Sequence, residues 1–277
     1  MANVLPVEKQ EAVVRCLVDG VSVRATERIV GVHRDTILRL MVRIADGCQI
    51  LHDRHVRDLD LRAVQVDEIW GFVHKKQRWV TKEDDASQCG DFWTFVAIDA
   101  DTKIVPSYLV GKRDGATANA FMADLSGRLS RRVQISSDGL NAYVDAVERA
   151  FGGGVDYGQI VKFYEAEPIG AGRYSPPKVV DVERVIVEGH PDEADISTSY
   201  VERQNLTMRM NMRRLTRLTN AFSKKVENLR AAVALHFAYY NFVRIHQTLR
   251  VTPAMAAGVT PRVWTIGDLV AAGSLKP

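Results

Sequence analysis

Two aspartates each stand at the end of a short apolar run that predicts a buried strand. Asp67 follows the run AVQV, and Asp138 follows VQIS. Carboxylates at the ends of neighbouring strands lie close together and repel each other unless a cation offsets their charge. Hard oxygen ligands of this kind favour magnesium or manganese. The pair therefore indicates a metal site, although either aspartate alone is more typical of a turn such as SSDG.

A third carboxylate, Glu202, begins a segment with helical periodicity, STSYVERQNLTMRMNMRRL. An apolar stripe predicts that this helix packs on a sheet, with Glu202 beside its first residue. The stripe consists of Val201, Met208, Met212 and Leu215. The face of Glu202 itself continues with Asn205, Leu206, Arg209 and Arg213. A carboxylate followed by cations favours a metal at the first turn and a nucleic-acid backbone along the helix.

The net charge of +3 is compatible with a nucleic-acid partner but is weak evidence alone. The distribution of charge is more informative, because residues 201–230 contain eight cations and only two acidic residues, Glu202 and Glu227. The alternative is a solvated helix face. The candidates for phosphate contacts in this region are Arg203, Arg209, Arg213, Lys224 and Lys225.

Residues 1–58 predict three helices, of which the first ends at Gly20 and the second breaks at Gly31. Two helices joined by a short turn that contains glycine form the helix-turn-helix pattern, which directs the start of the third helix into the DNA major groove. Arg34 and Thr36 are the DNA-contact candidates there. A generic three-helix subdomain is the alternative. Cys48, His52 and His55 do not have the spacing of a common zinc site.

Residues 59–277 predict three strands and then alternating helices and strands, with an irregular insertion at about residues 165–197. This pattern is typical of an α/β fold with a mixed sheet flanked by helices. The three cysteines are scattered without CxxC spacing, which favours a reducing cytoplasm. The N-terminus lacks the layout of a signal peptide, and no apolar run reaches the length of a membrane helix.

The chain resembles DDE transposases of the bacterial insertion-sequence-one type, within the ribonuclease-H-like integrase superfamily. The matching segments cover most of residues 64 to 260 and are VDEIWGFV, AIDADTK with GKRD, SSDGLNAY, TSYVERQNLTMRMNMRRLTRLTNAFSKKVEN and YNFVRIHQTLRVTPAMAAG. The resemblance implies a ribonuclease-H-like fold and a catalytic, metal-binding triad of Asp67, Asp138 and Glu202. It also implies two Mg²⁺ or Mn²⁺ ions, cleavage at element ends with strand transfer into target DNA, and a homo-oligomer on paired ends. The expected location is the bacterial cytoplasm at the nucleoid, with no small-molecule substrate.

The sequence departs from many such relatives in showing no cysteine-rich zinc-binding segment before the helices. We expect Glu68 to point to the sheet face opposite Asp67, Asp99 to lie in a hairpin turn, and His246 to be packed or hydrogen-bonded. Three alternatives stay open: an inactive, transposase-derived repressor, a nuclease on the same core that does not join DNA, and a regulator with a small-molecule domain.

Overall fold

The computed structural model describes residues 4–165, 178–217 and 219–275. The helices are α1 Val7–Val18, α2 Val23–Val30, α3 Arg34–His55, α4 Gly115–Ser126, α5 Asn141–Phe151, α6 Ser199–Asn211, α7 Val226–Ala238, α8 Pro253–Ala256 and α9 Ile266–Ala272. The strands are β1 Ala63–Val73, β2 Gly90–Asp99, β3 Tyr108–Gly111, β4 Val133–Asp138, β5 Val155–Glu165 and β6 Lys178–Glu188. None of the helices in these ranges has the length and apolar character needed to cross a membrane.

The strands form one mixed sheet in the order β3-β2-β1-β4-β5-β6. β1, β2 and β3 are joined as antiparallel neighbours, whereas β4 runs parallel to both β1 and β5. Helices cover both faces of this sheet, so the predicted ribonuclease-H-like α/β fold is confirmed. The parallel pairing of β1 with β4 stops at Gln65 and Ser136, near the end of β4, whereas β1 continues beside β2 to Val73.

Side chains of β1 alternate between two hydrophobic cores, as the period of a strand requires. Val64 and Val66 belong to the core that contains α4 and α5, whereas Ile69 and Val73 belong to the core under α6 and α7. Even-numbered residues of β1 thus face one layer of helices and odd-numbered residues face the other.

The N-terminal helices form where the sequence predicts them. Ser22 caps α2 by accepting a hydrogen bond from the backbone N–H of Ala25, and Gly31 ends the helix with a φ of 69°. Helix α3 packs against α9 so closely at Gly47 that an added Cβ would lie 1.9 Å from the carbonyl oxygen of Ala272. The division at residues 58 and 59 stays a prediction.

Two predictions about local structure are wrong. The segment at about residues 165–197 is not irregular throughout, because β6 lies within it and pairs with β5. Its residues KVVDVERVIVE are rich in valine and isoleucine, which favour a strand, but five charged residues interrupt them without regular alternation. Residues 166–177 lie outside the described ranges. Helix α6 ends at Asn211, and residues 213–215 form a separate 3₁₀ turn.

Candidate active site

The register of the sheet places Asp67 beside Asp138. The last pair between β1 and β4 joins Gln65 to Ser136, so two residues further along each parallel strand come Asp67 and Asp138. Both strands are anchored by buried apolar residues, which fix where the two carboxylates emerge at the sheet edge. The predicted convergence of the two aspartates is therefore present, but only Asp138 ends its strand, because β1 continues past Asp67 to Val73.

Glu68 completes a cluster with these two aspartates, which we call the acidic site. One carboxylate oxygen from each of Asp67, Glu68 and Asp138 lies within 4.8 Å of the other two. Burial and the charges of Glu68 and Asp138 raise the pKa of Asp67 to about 7. Burial and the charge of Asp138 also raise the pKa of Glu68. The cluster thus concentrates negative charge that a cation would offset.

The side chains that hold Glu68 lie on the sheet face opposite Asp67, as the strand period predicts. The Arg113 guanidinium donates from Nε to Oε1 at 2.7 Å, and the Tyr143 hydroxyl donates to Oε2 at 2.9 Å. Only 1 % of the Glu68 side chain is exposed. Its carboxylate nevertheless lies beside those of Asp67 and Asp138. Glu68 therefore belongs to the acidic site, which the sequence did not predict.

Asn205 on α6 is the second neighbour that the sequence reasoning did not assign to the site. Its Nδ2 donates to Asp67 Oδ2 at 2.8 Å, while the backbone N–H of Glu68 donates to Asp67 Oδ1 at 2.8 Å. The Oδ1 of Asn205 is buried and has no hydrogen-bond partner among the described residues. Its position one turn after Glu202 was the available signal, because i and i+3 share a helix face.

Glu202 lies in the first turn of α6, and the start of this helix is tied to β1. Gln65 Oε1 accepts hydrogen bonds from the backbone N–H groups of Tyr200 and Val201, at 2.7 and 3.2 Å. The Glu202 side chain is 47 % exposed and pairs with Lys162 of β5. Its charge contributes to the raised pKa of Asp67, although Glu202 is not among the three residues grouped within 4.8 Å.

The residues present fit a hard divalent cation. The donors are carboxylate oxygens with an amide oxygen nearby, and these are the ligand types that magnesium and manganese prefer. The unpartnered Oδ1 of Asn205 adds a buried acceptor beside Asp67. Asp67 and Asp138 are half-buried, so a cation could reach both from solvent.

The candidate DNA-contact residues occupy different surroundings. Arg34, Arg203, Arg213, Lys224 and Lys225 are exposed, whereas Thr36 and Arg209 are half-buried. Arg209 donates from Nη1 to the carbonyl oxygen of Leu215 at 3.4 Å, so part of its role is to hold the turn after α6. Because α6 ends at Asn211, Arg213 does not continue the helix face of Glu202.

Two further sequence candidates have local partners. Asp99 Oδ2 accepts from the backbone N–H and the hydroxyl of Thr102, both at 2.7 Å, and thereby closes the predicted hairpin turn. His246 Nδ1 shares a hydrogen bond with the Thr248 hydroxyl at 3.0 Å. Burial and the cations Lys103 and Arg244 lower the pKa of His246.

No family model and no curated protein matches the sequence. Among solved structures, the Mos1 strand transfer complex matches at 18 % identity over 55 % of this chain and 58 % of that chain, with a TM-score of 0.22. The Mos1 transposase paired-end complex with left transposon end matches at 19 % identity over 54 % and 59 %, with the same TM-score. The Mos1 mariner paired-end complex with Mn matches at 17 % identity over 52 % and 56 %, again at 0.22. Each match spans less than two thirds of the Mos1 chain.

Proposed function

We propose that the chain is a DDE-type DNA transposase that cuts DNA at the ends of a mobile element and joins the freed 3′ ends to target DNA. The observation that carries the proposal is the convergence of Asp67 and Asp138 at the carboxyl edge of the parallel β1–β4 pair. The assignment to the insertion-sequence-one type depends on the sequence segments alone.

In this proposal Asp67 and Asp138 would hold a divalent cation, and Glu202 would be the third carboxylate once its side chain leaves Lys162. A bound magnesium or manganese ion, or a pair of them, supplies activation of the attacking oxygen and stabilisation of the leaving oxygen in an in-line displacement. Asn205 fixes the orientation of the Asp67 carboxylate through its 2.8 Å hydrogen bond. Gln65 holds the start of α6 against β1, so that Glu202 stays beside the strand ends.

The DNA would lie against cationic side chains near this edge. Arg203 and Arg209 are on α6, the helix that carries Glu202, and Arg213, Lys224 and Lys225 follow it in the chain. Such contacts to phosphates position DNA without reading its sequence. Arg34 and Thr36 at the start of α3 would contact element ends as the recognition helix of a helix-turn-helix. We further propose a homo-oligomer on paired ends, located at the nucleoid of the bacterial cytoplasm.

One observation favours a second candidate, a DNA-binding repressor without turnover. Glu202 is exposed and engaged with Lys162 and with the Thr198 hydroxyl, which donates to its Oε1 at 2.8 Å. A glutamate held in this way has to move before it can complete a three-carboxylate site.

A strand-transfer assay separates the candidates. The full chain is incubated with Mg²⁺, DNA ends taken from the sequences that flank its gene, and a supercoiled target. We expect joined products that fall at least about 1,000-fold in Asp67→Asn and in Glu202→Gln, since each loses one carboxylate of the proposed site. Asp145→Asn, an exposed change on α5, is the matched control and should leave joining unchanged.

Each outcome assigns a different function. Cleavage without joining indicates a nuclease, and binding of the ends without cleavage indicates a repressor. Full joining activity in Asp67→Asn would overturn the site assignment.

A further inference from the structure

A cavity of about 880 Å³ lies between the N-terminal helices and the segment that follows α6. Its apolar wall includes Leu38 and Met41 of α3 together with Phe222 and Leu235. Neither Asp67, Asp138 nor Glu202 lines it, so this cavity is separate from the acidic site.

The side chains around this cavity carry a strong excess of positive charge. Five lining residues are cationic and one, Asp35, is acidic. The cations are Arg24, Arg34, Arg213, Arg214 and Lys224. An apolar space enclosed by cations concentrates a positive potential, because low-dielectric walls focus the field. This combination favours a ligand that carries an anionic group on a flat or apolar body.

Arg214 is the cation whose position is hardest to explain by packing alone. Its Nη1 donates to the Ser223 hydroxyl at 3.2 Å, and its Nη2 contacts the Met41 sulfur at 3.4 Å. Burial lowers the pKa of Arg214 to about 10, and no carboxylate of the described chain counters that effect. Arg214 is half-buried by its accessible surface, and a largely desolvated guanidinium without a carboxylate is unfavourable for folding unless an anion offsets it.

His236 of α7 supplies an independent sign of an unfilled polar site in the same cavity. The residue lines the cavity, is only 2 % exposed, and neither ring nitrogen has a hydrogen-bond partner among the described residues. Buried polar atoms are usually partnered, by protein, water or ligand. Among the described residues, the Arg214 guanidinium therefore has no carboxylate partner, and the His236 imidazole in the same cavity has no hydrogen bond.

We propose that this cavity binds a nucleotide, with its phosphate on the Arg214 guanidinium and its base against the apolar wall. Arginine suits phosphate because its planar fork donates two parallel hydrogen bonds. Phe222 and Leu38, which are half-buried, offer the surface against which a base packs. The nucleotide can come from a DNA strand or from the free pool. The DNA source rests on the proposed function, whereas the phosphate chemistry does not.

Isothermal titration calorimetry on the full chain tests the proposal with three probes: a short single-stranded oligothymidylate, thymidine monophosphate and sodium phosphate. We expect Arg214→Met to weaken oligothymidylate binding at least about 10-fold at fixed salt, because it removes the phosphate ligand. Arg54→Met removes the same charge from an exposed position of α3 that does not line the cavity, and should change binding less than about twofold. Asn228→Trp fills the cavity without changing its charge and should also weaken binding.

A stability measurement separates a binding role of Arg214 from a structural one. Because Arg214→Met removes a buried cation that has no carboxylate partner, its thermal midpoint without ligand should equal or exceed that of the wild type. A lowered midpoint assigns Arg214 to the fold and overturns the proposal, unless Asn228→Trp still abolishes binding in a stable protein.

The probes also distinguish the two sources of the nucleotide. Tighter binding of oligothymidylate than of thymidine monophosphate indicates a DNA strand, and the reverse order indicates a free nucleotide. Equal affinity in Arg214→Met and the wild type, or an equal loss in Arg54→Met, overturns the proposal. Asp67→Asn should bind all probes normally, so failure of the acidic site and failure of the cavity are separable.

Discussion

The acidic site and the cationic cavity both crowd like charges, but the chain supports them differently. In the acidic site, Arg113 and Tyr143 donate to the oxygens of Glu68, and Asn205 donates to Asp67. Hydrogen bonds of this kind fix side-chain geometry before any ligand arrives. The acidic site is therefore organised by the protein itself, and a cation would complete it.

The cationic cavity has much less internal support. Arg214 has only a hydroxyl and a thioether as partners, and His236 has none within the described ranges. Polar groups left in this state are retained where function needs them, at a cost in stability. Neighbouring side chains therefore hold the acidic site in place, whereas the cationic cavity depends on its ligand.

The largest effect is expected from removing the support of the acidic site. Arg113→Met should lower the free energy of unfolding by about 3 kcal/mol, because Glu68 is left as a buried charge. Arg113 is itself 41 % exposed, so water partly replaces it and the loss stays at the low end of the range for buried pairs. Urea denaturation measures the change.

Two variants test whether the pair itself is responsible. Adding Glu68→Gln to Arg113→Met should restore most of the stability, because no charge is then stranded. Arg131→Met, which breaks an exposed pair with Asp60, should cost less than about 1 kcal/mol. Equal losses in Arg113→Met and Arg131→Met would show that the acidic site is not supported as described.

A smaller effect of opposite sign is expected from Asp67→Asn. The pKa of Asp67 is raised to about 7 from an ordinary value of 3.8, so the folded state favours the neutral acid. Its contribution to stability is thus lost as pH rises from about 4 to about 7. In cation-free buffer at pH 8, Asp67→Asn should gain about 2 kcal/mol, and at pH 4 almost nothing.

The amide of Asn205 makes this substitution tolerable, because rotation by 180° lets its free Oδ1 accept from the new side chain. Denaturation curves at pH 4, 6 and 8 measure the effect, with Asp145→Asn as an exposed control. A variant less stable than the wild type at pH 8 would contradict a repulsive acidic site.

Magnesium should narrow the difference in stability between these two proteins. At a concentration about 10 times its dissociation constant, Mg²⁺ should stabilise the wild type by about 1.4 kcal/mol and Asp67→Asn very little. Thermal unfolding with Mg²⁺, with chelator, and with sodium chloride of equal ionic strength checks the prediction. An equal shift in both proteins would place the cation elsewhere on the surface.

The proximity of Asp67 and Asp138 could be predicted because each follows an apolar run, and the two runs form the parallel β1–β4 pair, although β1 then continues to Val73. The ends of α1 and α2 were equally predictable from Gly20 and Gly31, whereas α3 continues through Gly47 to His55. The local sequence pattern indicates these features, and the structure adds only the register between the strands.

Glu68, Asn205 and the cavity could not be predicted in the same way, because they depend on contacts between distant segments. Tyr143 lies 75 residues from Glu68, and Asn205 lies 138 residues from Asp67. The end of α6 at Asn211 was missed because apolar residues continue in helical register after the helix has stopped. Edge strand β6 could not be predicted because charged residues interrupt its apolar residues without the regular alternation of a strand.

A fourth prediction tests the cationic cavity through pH. Burial, together with the charge of Arg244, lowers the pKa of His236 to about 3 from 6.5. The neutral ring is favoured in the folded state, so stability is lost as pH falls below 6.5. A change from pH 7.5 to 5.5 should therefore lower the free energy of unfolding of His236→Phe by about 1 kcal/mol less than that of the wild type. Urea denaturation at both values measures this, and His190→Phe at an exposed position should keep the slope of the wild type.

The smallest effect is expected from removing a proposed phosphate contact on α6, beside the acidic site. Arg203→Ala removes an exposed cation one residue after Glu202, and should reduce the slope of log affinity against log salt by about 0.9 for duplex DNA. Arg230→Ala, an exposed change on α7, is the matched control, and its slope should equal that of the wild type. Fluorescence anisotropy over a range of salt concentrations measures both slopes. If only Arg214→Met reduces the slope of log affinity against log salt, the DNA phosphates contact the cavity and not α6. The DNA would then pass from the acidic site to the cavity without following this helix.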